Sequence, residues 1–158
     1  MNNQNTLQFL LGEWSGTGHG EFPTIEPFEY LETLLFSSDG RLFLHYEQKA
    51  KRRNIGQTDY IASHWESGFI RMLPNGEVEL ISAQTGGRLE RLTGSLEQTE
   101  TGMILRLQST GFLNDPRMLE TSRTIIVEGD SLHYTLHMHT TAVPQPAHHV
   151  EATLYRTT

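Results

Sequence analysis

The segment Leu132-His133-Tyr134-Thr135-Leu136-His137-Met138-His139 decides how the rest of the chain is read. Large apolar side chains fall on every second residue, and imidazoles and a hydroxyl fill the positions between. A period of two marks a strand with one buried face, because successive side chains leave a pleated backbone on opposite sides. On a helix the same four apolar residues would be spread around the axis.

The pattern recurs outward from this segment. Leu42, Leu44 and Tyr46 share one face while Arg41, Phe43 and His45 share the other, and Val78, Leu80 and Ser82 oppose Glu77, Glu79 and Ile81. Asp39-Gly40, Asn75-Gly76, Gly86-Gly87 and Gly129-Asp130 supply turns between such runs. Strands are expected near residues 14–21, 27–36, 41–50, 58–65, 68–73, 77–83, 88–94, 102–109, 118–127, 131–140 and 149–156. That is about ten, or eleven if the first is complete. Short connections make successive strands antiparallel neighbours.

Helical signal is confined to Asn5-Thr6-Leu7-Gln8-Phe9-Leu10-Leu11-Gly12, with Asn5 or Thr6 as N-cap and Gly12 as terminator. Two turns at most make a plug or lid. Without helices to cover a sheet face, the sheet closes on itself and so loses its edges. The expected fold is all-β: a single domain over residues 1–158, an antiparallel up-and-down barrel of the lipocalin and fatty-acid-binding type. Barrels of more than eight strands leave space inside, so such a fold is first a container.

Composition narrows the contents. Twelve Lys and Arg against nineteen Asp and Glu give a net charge of −7, which disfavours nucleic acid. With no cysteine, disulfides, thiolate nucleophiles, iron–sulfur clusters and Cys-ligated zinc are excluded. No apolar run approaches the ~20 residues of a membrane helix, and no signal peptide is evident, so no membrane role and a cytoplasmic location are expected. Lys49, Lys51, Arg52 and Arg53 precede Asn54-Ile55-Gly56-Gln57 and read as a solvated hairpin tip. Hydrolase motifs are absent, and Glu77 and Glu79 read as an outward, solvated pair. Phe69 and Ile70 read as core.

Glycines at 12, 16, 18 and 20 lie in Gly12-Glu13-Trp14-Ser15-Gly16-Thr17-Gly18-His19-Gly20. Lacking Lys-Ser/Thr and a following helix, this is no phosphate loop. Alternate glycines strip one strand face, permitting a bend, a close backbone approach or a flat ligand. Phe22-Pro23-Thr24-Ile25, Phe28, Tyr30 and Glu32 follow. This opening resembles the nitrobindins, heme-binding β-barrels also found fused to some THAP-domain proteins. Matching blocks continue in order: His64-x-Glu66-Ser67-Gly68-Phe69-Ile70-Arg71, then Gly76-x-Val78-Glu79-Leu80-x-x-Ala83-Gln84-x-Gly86. Leu132-x-Tyr134-x-Leu136-x-Met138-x-Thr140-Thr141 and His149-Val150-x-Ala152-x-Leu154-x-Arg156 complete the set. The resemblance spans residues 7 to 156. It implies a ten-stranded barrel holding ferric heme b near one mouth on a single axial ligand, binding nitric oxide and isomerising peroxynitrite to nitrate. A monomer or homodimer with small-molecule ligands only is expected. The rival reading is a heme-free barrel for a fatty acid or another apolar molecule.

Eight histidines include five between positions 133 and 149. His133, His137 and His139 oppose the apolar face and read as a polar outer face. A divalent-metal reading would join His137 and His139 to His148 or His149, but no carboxylate completes that set. The resemblance carries the axial, catalytic role to His149, since the family's ligand precedes a Leu-x-Ala-x-Leu run. Strict alternation from Val150, Ala152 and Leu154 would instead turn His148 inward and His149 out; a β-bulge at the rim would reconcile the two. The resemblance also implies heme contacts at Thr24, His64, Gln84 and Met138; if heme is bound, His64 is the candidate for a protonatable distal group. Ser63 stands where close relatives carry Met, and the hairpin before it is longer here.

Overall fold

The computed structural model describes residues 6–157. Ten strands run β1 (Gly12–Phe22), β2 (Ile25–Ser37), β3 (Phe43–Asn54), β4 (Ile61–Met72), β5 (Val78–Gln84), β6 (Leu89–Gln98), β7 (Met103–Leu113), β8 (Met118–Glu128), β9 (Ser131–Thr140) and β10 (Ala147–Arg156). Each pairs antiparallel with its sequence neighbours, and β1 also pairs with β10, closing the barrel. The up-and-down topology is as expected, and closure leaves no strand at a free edge of the sheet.

Two expected strands, 58–65 and 68–73, are one. Glu66-Ser67-Gly68 looks like a turn in sequence, yet it lies inside β4, where Glu66 pairs with Gln48 and Gln84, and Gly68 with Tyr46 and Ser82. Gly68 is extended, and its missing side chain makes room: a Cβ there would overlap the Ile81 carbonyl oxygen and approach the Tyr46 ring. The basic cluster is also not a tip. Lys49 to Arg53 belong to β3, and Arg52 and Arg53 stack on Phe28 and Tyr60.

The N-terminal helix is smaller than the sequence suggests, a 3-10 turn over Gln8–Leu10 that receives no side-chain cap. A cap from Thr6 is therefore not made, and Asn5 lies outside the described residues. The turn works as the expected plug, closing one end of the barrel. Leu10 and Trp14 are fully buried there, and Trp14 Nε1 donates to the Leu10 carbonyl at 2.8 Å. Arg156 lies over the Trp14 ring and donates to the Phe9 and Leu11 carbonyls. Above the plug, Leu34, Phe36, Ile70, Leu92, Leu105, Leu132 and Leu154 fill the interior. A second cluster, Phe22, Met118, Met138 and Val143, forms around the opposite end.

The glycine-stripped face of β1 is covered by the protein itself. A Cβ on Gly18 would collide with the Tyr30 ring, and one on Gly20 with the Phe28 ring. Rings of β2 thus lie where a flat ligand was one of three expectations. Leu42 precedes β3 and is exposed, and Phe69 faces outward at 46% exposure, whereas Ile70 is core.

Candidate functional site

The end opposite the plug opens into a cavity of about 240 Å³. Apolar Ile25, Phe28, Leu136 and Met138 line it together with polar side chains, among them the buried carboxylates of Glu32, Glu66 and Glu90.

Two β-bulges shape the mouth. In β10, His148 pairs with His137 and Val150 with Leu136, so His149 is the extra residue. In β4, His64 pairs with Ala50 and Ala62 with Lys51, so Ser63 is the extra residue. A regular strand sends consecutive side chains to opposite faces, but each bulge allows two in a row to line the cavity: His149 with Val150, and Ser63 with His64. The Ser63 hydroxyl donates to the Ala50 carbonyl at 3.2 Å, which ties the bulged strand to β3.

His149 is half-buried, with its ring edge-on to Phe22 and Phe28 at centroid distances of 5.7 and 6.3 Å. Its Nδ1 lies 3.2 Å from the Glu21 carbonyl, which accepts only, so Nδ1 carries the hydrogen and Nε2 keeps its lone pair. Burial pushes its pKa below the ordinary histidine value, which favours the neutral ring. His148 lies outside the cavity lining, its ring 5.6 Å from that of His137 and 6.3 Å from that of His19. His139 donates instead to the Val143 carbonyl. Among the described residues, no group of three or more such side chains could hold a metal ion.

The other expected residues divide. His64, Gln84 and Met138 line the cavity with His149, whereas Thr24 is exposed in the β1–β2 turn and is not among the lining residues. Gln84 is buried, accepts from Arg88 and donates to Ser82 Oγ at 3.2 Å.

The deep polar floor is what sequence reasoning missed. Glu66 Oε2 accepts from Tyr46 Oη at 2.6 Å, Ser82 Oγ at 3.0 Å and Arg123 Nη1 at 2.7 Å, while Oε1 meets His64 Nε2 at 3.0 Å. Arg123 Nη2 reaches Glu90 at 2.6 Å, and Thr121 also donates to Glu90. Burial alone would raise the Glu66 carboxyl, but Arg123, His64 and Tyr46 outweigh it and hold Glu66 far below the usual range. Glu32 differs. It accepts from Tyr134 and from Gln48, with no cation among the described residues at hydrogen-bond distance, and burial pushes its pKa up to about 8. These residues sit at ordinary inward positions of their strands, where only their polarity was a signal: a glutamate between apolar inward neighbours, as in Tyr30-x-Glu32-x-Leu34.

Glu79 also departs from expectation. It faces outward but is only 4% exposed, clamped by Arg71 and Arg91 at 2.8 and 2.7 Å.

Comparison with known proteins decides the family. The sequence model of the THAP4-like, heme-binding beta-barrel domain matches residues 3–156. The chain belongs to this family. Heme is the cofactor that the family's description names. Among its relatives, the chain is 37% identical over 155 residues to peroxynitrite isomerase 2 of Mycobacterium marinum, covering 96% of this chain and 93% of the relative. It is 34% identical over 142 residues to an Arabidopsis thaliana protein named peroxynitrite isomerase Rv2717c, covering 90% and 82%. The crystal structure of Rv2717c from M. tuberculosis superposes with a TM-score of 0.88 at 32% identity, covering 100% and 99% of the two chains.

Proposed function

We propose that this barrel carries heme b in its mouth on His149 and isomerises peroxynitrite to nitrate. Family membership and the names of its relatives support the reading. The observation that carries it is the state of His149: a neutral imidazole beside the Phe22 and Phe28 rings, its Nδ1–H engaged by the Glu21 carbonyl and the lone pair of its Nε2 left free. Iron porphyrins are held by one such nitrogen, and a backbone acceptor on the other nitrogen orients the ring and raises its basicity. Bound ferric heme supplies a Lewis acid for an anionic peroxide.

The chain's own part is to hold, orient and exclude water. Phe22, Phe28 and Met138 offer apolar contacts beside His149. The cavity, at about 240 Å³, is smaller than the ~300–1,000 Å³ of a drug-sized ligand pocket, so a porphyrin would be held at the mouth, by His149, Phe28 and Met138, and not enclosed. Its carboxylates would suit the rim, with half-buried Arg52 and Arg88 and the Thr24 hydroxyl, since at the floor Arg123 is already taken by Glu66 and Glu90. The same floor opposes the fatty-acid reading, because an inward carboxylate would meet Glu66 and Glu90 with the one guanidinium of Arg123 already shared between them. Location in the cytoplasm belongs to this reading too; no helix among the described residues is long and apolar enough to cross a membrane.

The test is optical. Purified protein titrated with hemin should develop a Soret band at one equivalent and then speed the conversion of peroxynitrite to nitrate. A barrel that takes up no hemin, but binds a fluorescent fatty acid, overturns the proposal.

A further inference from the structure

Glu66 and His64 stand two residues apart on β4, on the cavity face. Three donors from three other strands, Tyr46 on β3, Ser82 on β5 and Arg123 on β8, hold Glu66 Oε2, so its second oxygen is presented to His64 at a fixed position. An ionised carboxylate accepts hydrogen bonds and donates none. The hydrogen in the 3.0 Å contact therefore sits on His64 Nε2. The other ring nitrogen, Nδ1, points away from Glu66 and makes no hydrogen bond among the described residues. His64 is half-buried, at the level of the mouth.

We propose that Glu66 is a positioning residue: it locks His64 in the Nε2–H tautomer and reserves Nδ1 for hydrogen bonding and proton exchange with an oxyanion in the mouth of the barrel. Neutral His64 presents a lone pair there, able to take a proton from the ligand's conjugate acid. Protonated His64 presents an N–H, able to donate to the anion. The identity of that anion rests on the peroxynitrite reading; the tautomer does not. Peroxynitrite isomerisation breaks an O–O bond and forms a third N–O bond, with no net change in protons or electrons, so His64 lends its hydrogen bond and recovers it. Around His64 the cavity carries Glu32 on β2, Arg52 on β3, Arg88 before β6 and Glu90 on it, Arg123 on β8 and His149 on β10. Among the described residues, only Glu66 reaches its ring within hydrogen-bond distance.

The first test needs no heme. Two-bond ¹H–¹⁵N spectra of the labelled barrel, with His64 assigned by its loss in His64→Gln, should show a pure Nε2–H tautomer at a pH where the ring is neutral. Glu66→Gln, whose amide both donates and accepts, should give a mixture. An Nδ1–H tautomer or an unbiased mixture in the wild type overturns the proposal, as does an unchanged tautomer in Glu66→Gln. Should Glu66→Gln not fold, the triple Glu66→Gln/Glu90→Gln/Arg123→Met, with no charge left in the cluster, carries the same comparison. The second test uses hemin-loaded protein. His64→Gln should slow nitrate formation by about 100-fold, the low end for a positioned acid–base group; Glu66→Gln should slow it only a few-fold, by the fraction of the productive tautomer it loses, and the double variant should be no slower than His64→Gln. Multiplying losses in the double variant overturn the linkage. If the loaded wild type does not speed nitrate formation at all, the peroxynitrite reading fails while the tautomer result stands.

Discussion

His149 and Val150 are consecutive residues of β10, and both line the cavity. A regular strand forbids this. The bulge between His148 and Val150 permits it, leaving Val150, Ala152 and Leu154 facing inward while adding His149 to the same side. His148 is left outside, beside His137. The neighbouring imidazoles thus differ in surroundings, and their substitutions should differ in effect.

His149→Ala should lose hemin affinity by about 100-fold or more, since removing even an outer-shell partner of a metal ligand costs 10–100-fold. His148→Ala should keep near-wild-type affinity. Hemin titration followed at the Soret band, with far-UV circular dichroism to show that both barrels are folded, separates them. Equal losses from the two would mean that the bulge does not select the ligand.

Arg123 is the cation shared by two buried glutamates. Arg123→Met leaves both uncompensated, which costs about 3–5 kcal/mol for a buried pair broken on one side. In a chain of this size that lowers Tm by roughly 6–20 °C. Restoring neutrality with Glu66→Gln and Glu90→Gln in the same protein should recover most of the loss. Thermal melts of the single and triple variants measure it.

Glu32 predicts a pH dependence with a definite sign. Its folded pKa of about 8 lies above the ordinary 4.5, so the folded state holds the proton more tightly than the unfolded chain. The resulting stability is fully present below pH 4.5, falls as pH rises toward 8, and is gone above it. Glu32→Gln has no such proton to lose. Plotted from pH 4.5 to 9, the Tm of wild type minus that of Glu32→Gln should decline and then level off near pH 8. A difference that rises with pH would show that Glu32 is ionised in the fold.

Gly68→Ala should lower stability by about 1–3 kcal/mol, the cost of overpacking, because the Ile81 carbonyl occupies the space of the new methyl. Gly111→Ala, where a Cβ meets nothing within 4 Å, should be neutral to within about 0.5 kcal/mol. Denaturant melts of the pair check both values.

Much of the architecture is local and was therefore legible. Inward Leu132, Tyr134 and Met138 announce β9, and Gly129-Asp130 announces the turn before it, because pleat and turn geometry depend on near neighbours. Barrel closure was legible as well, since the chain holds almost no helix to cover a sheet. The error at Glu66-Ser67-Gly68 has the same root. A glycine that yields space to a facing strand reads in one dimension like a glycine that turns the chain, and only the Ile81 carbonyl distinguishes them.

The sequence by itself determined that this chain forms a closed, acidic, cysteine-free barrel with imidazoles near one rim, because periodicity and composition are properties of the chain alone. Which imidazole faces inward was decided only by the three-dimensional pairing of β10 with β9, since a one-residue bulge changes the face of a side chain without altering the alternating pattern around it. The floor was decided there too. Glu32, Glu66, Glu90 and Arg123 come from four different strands, and whether a buried carboxylate is charged depends on which donors the closed barrel brings to it.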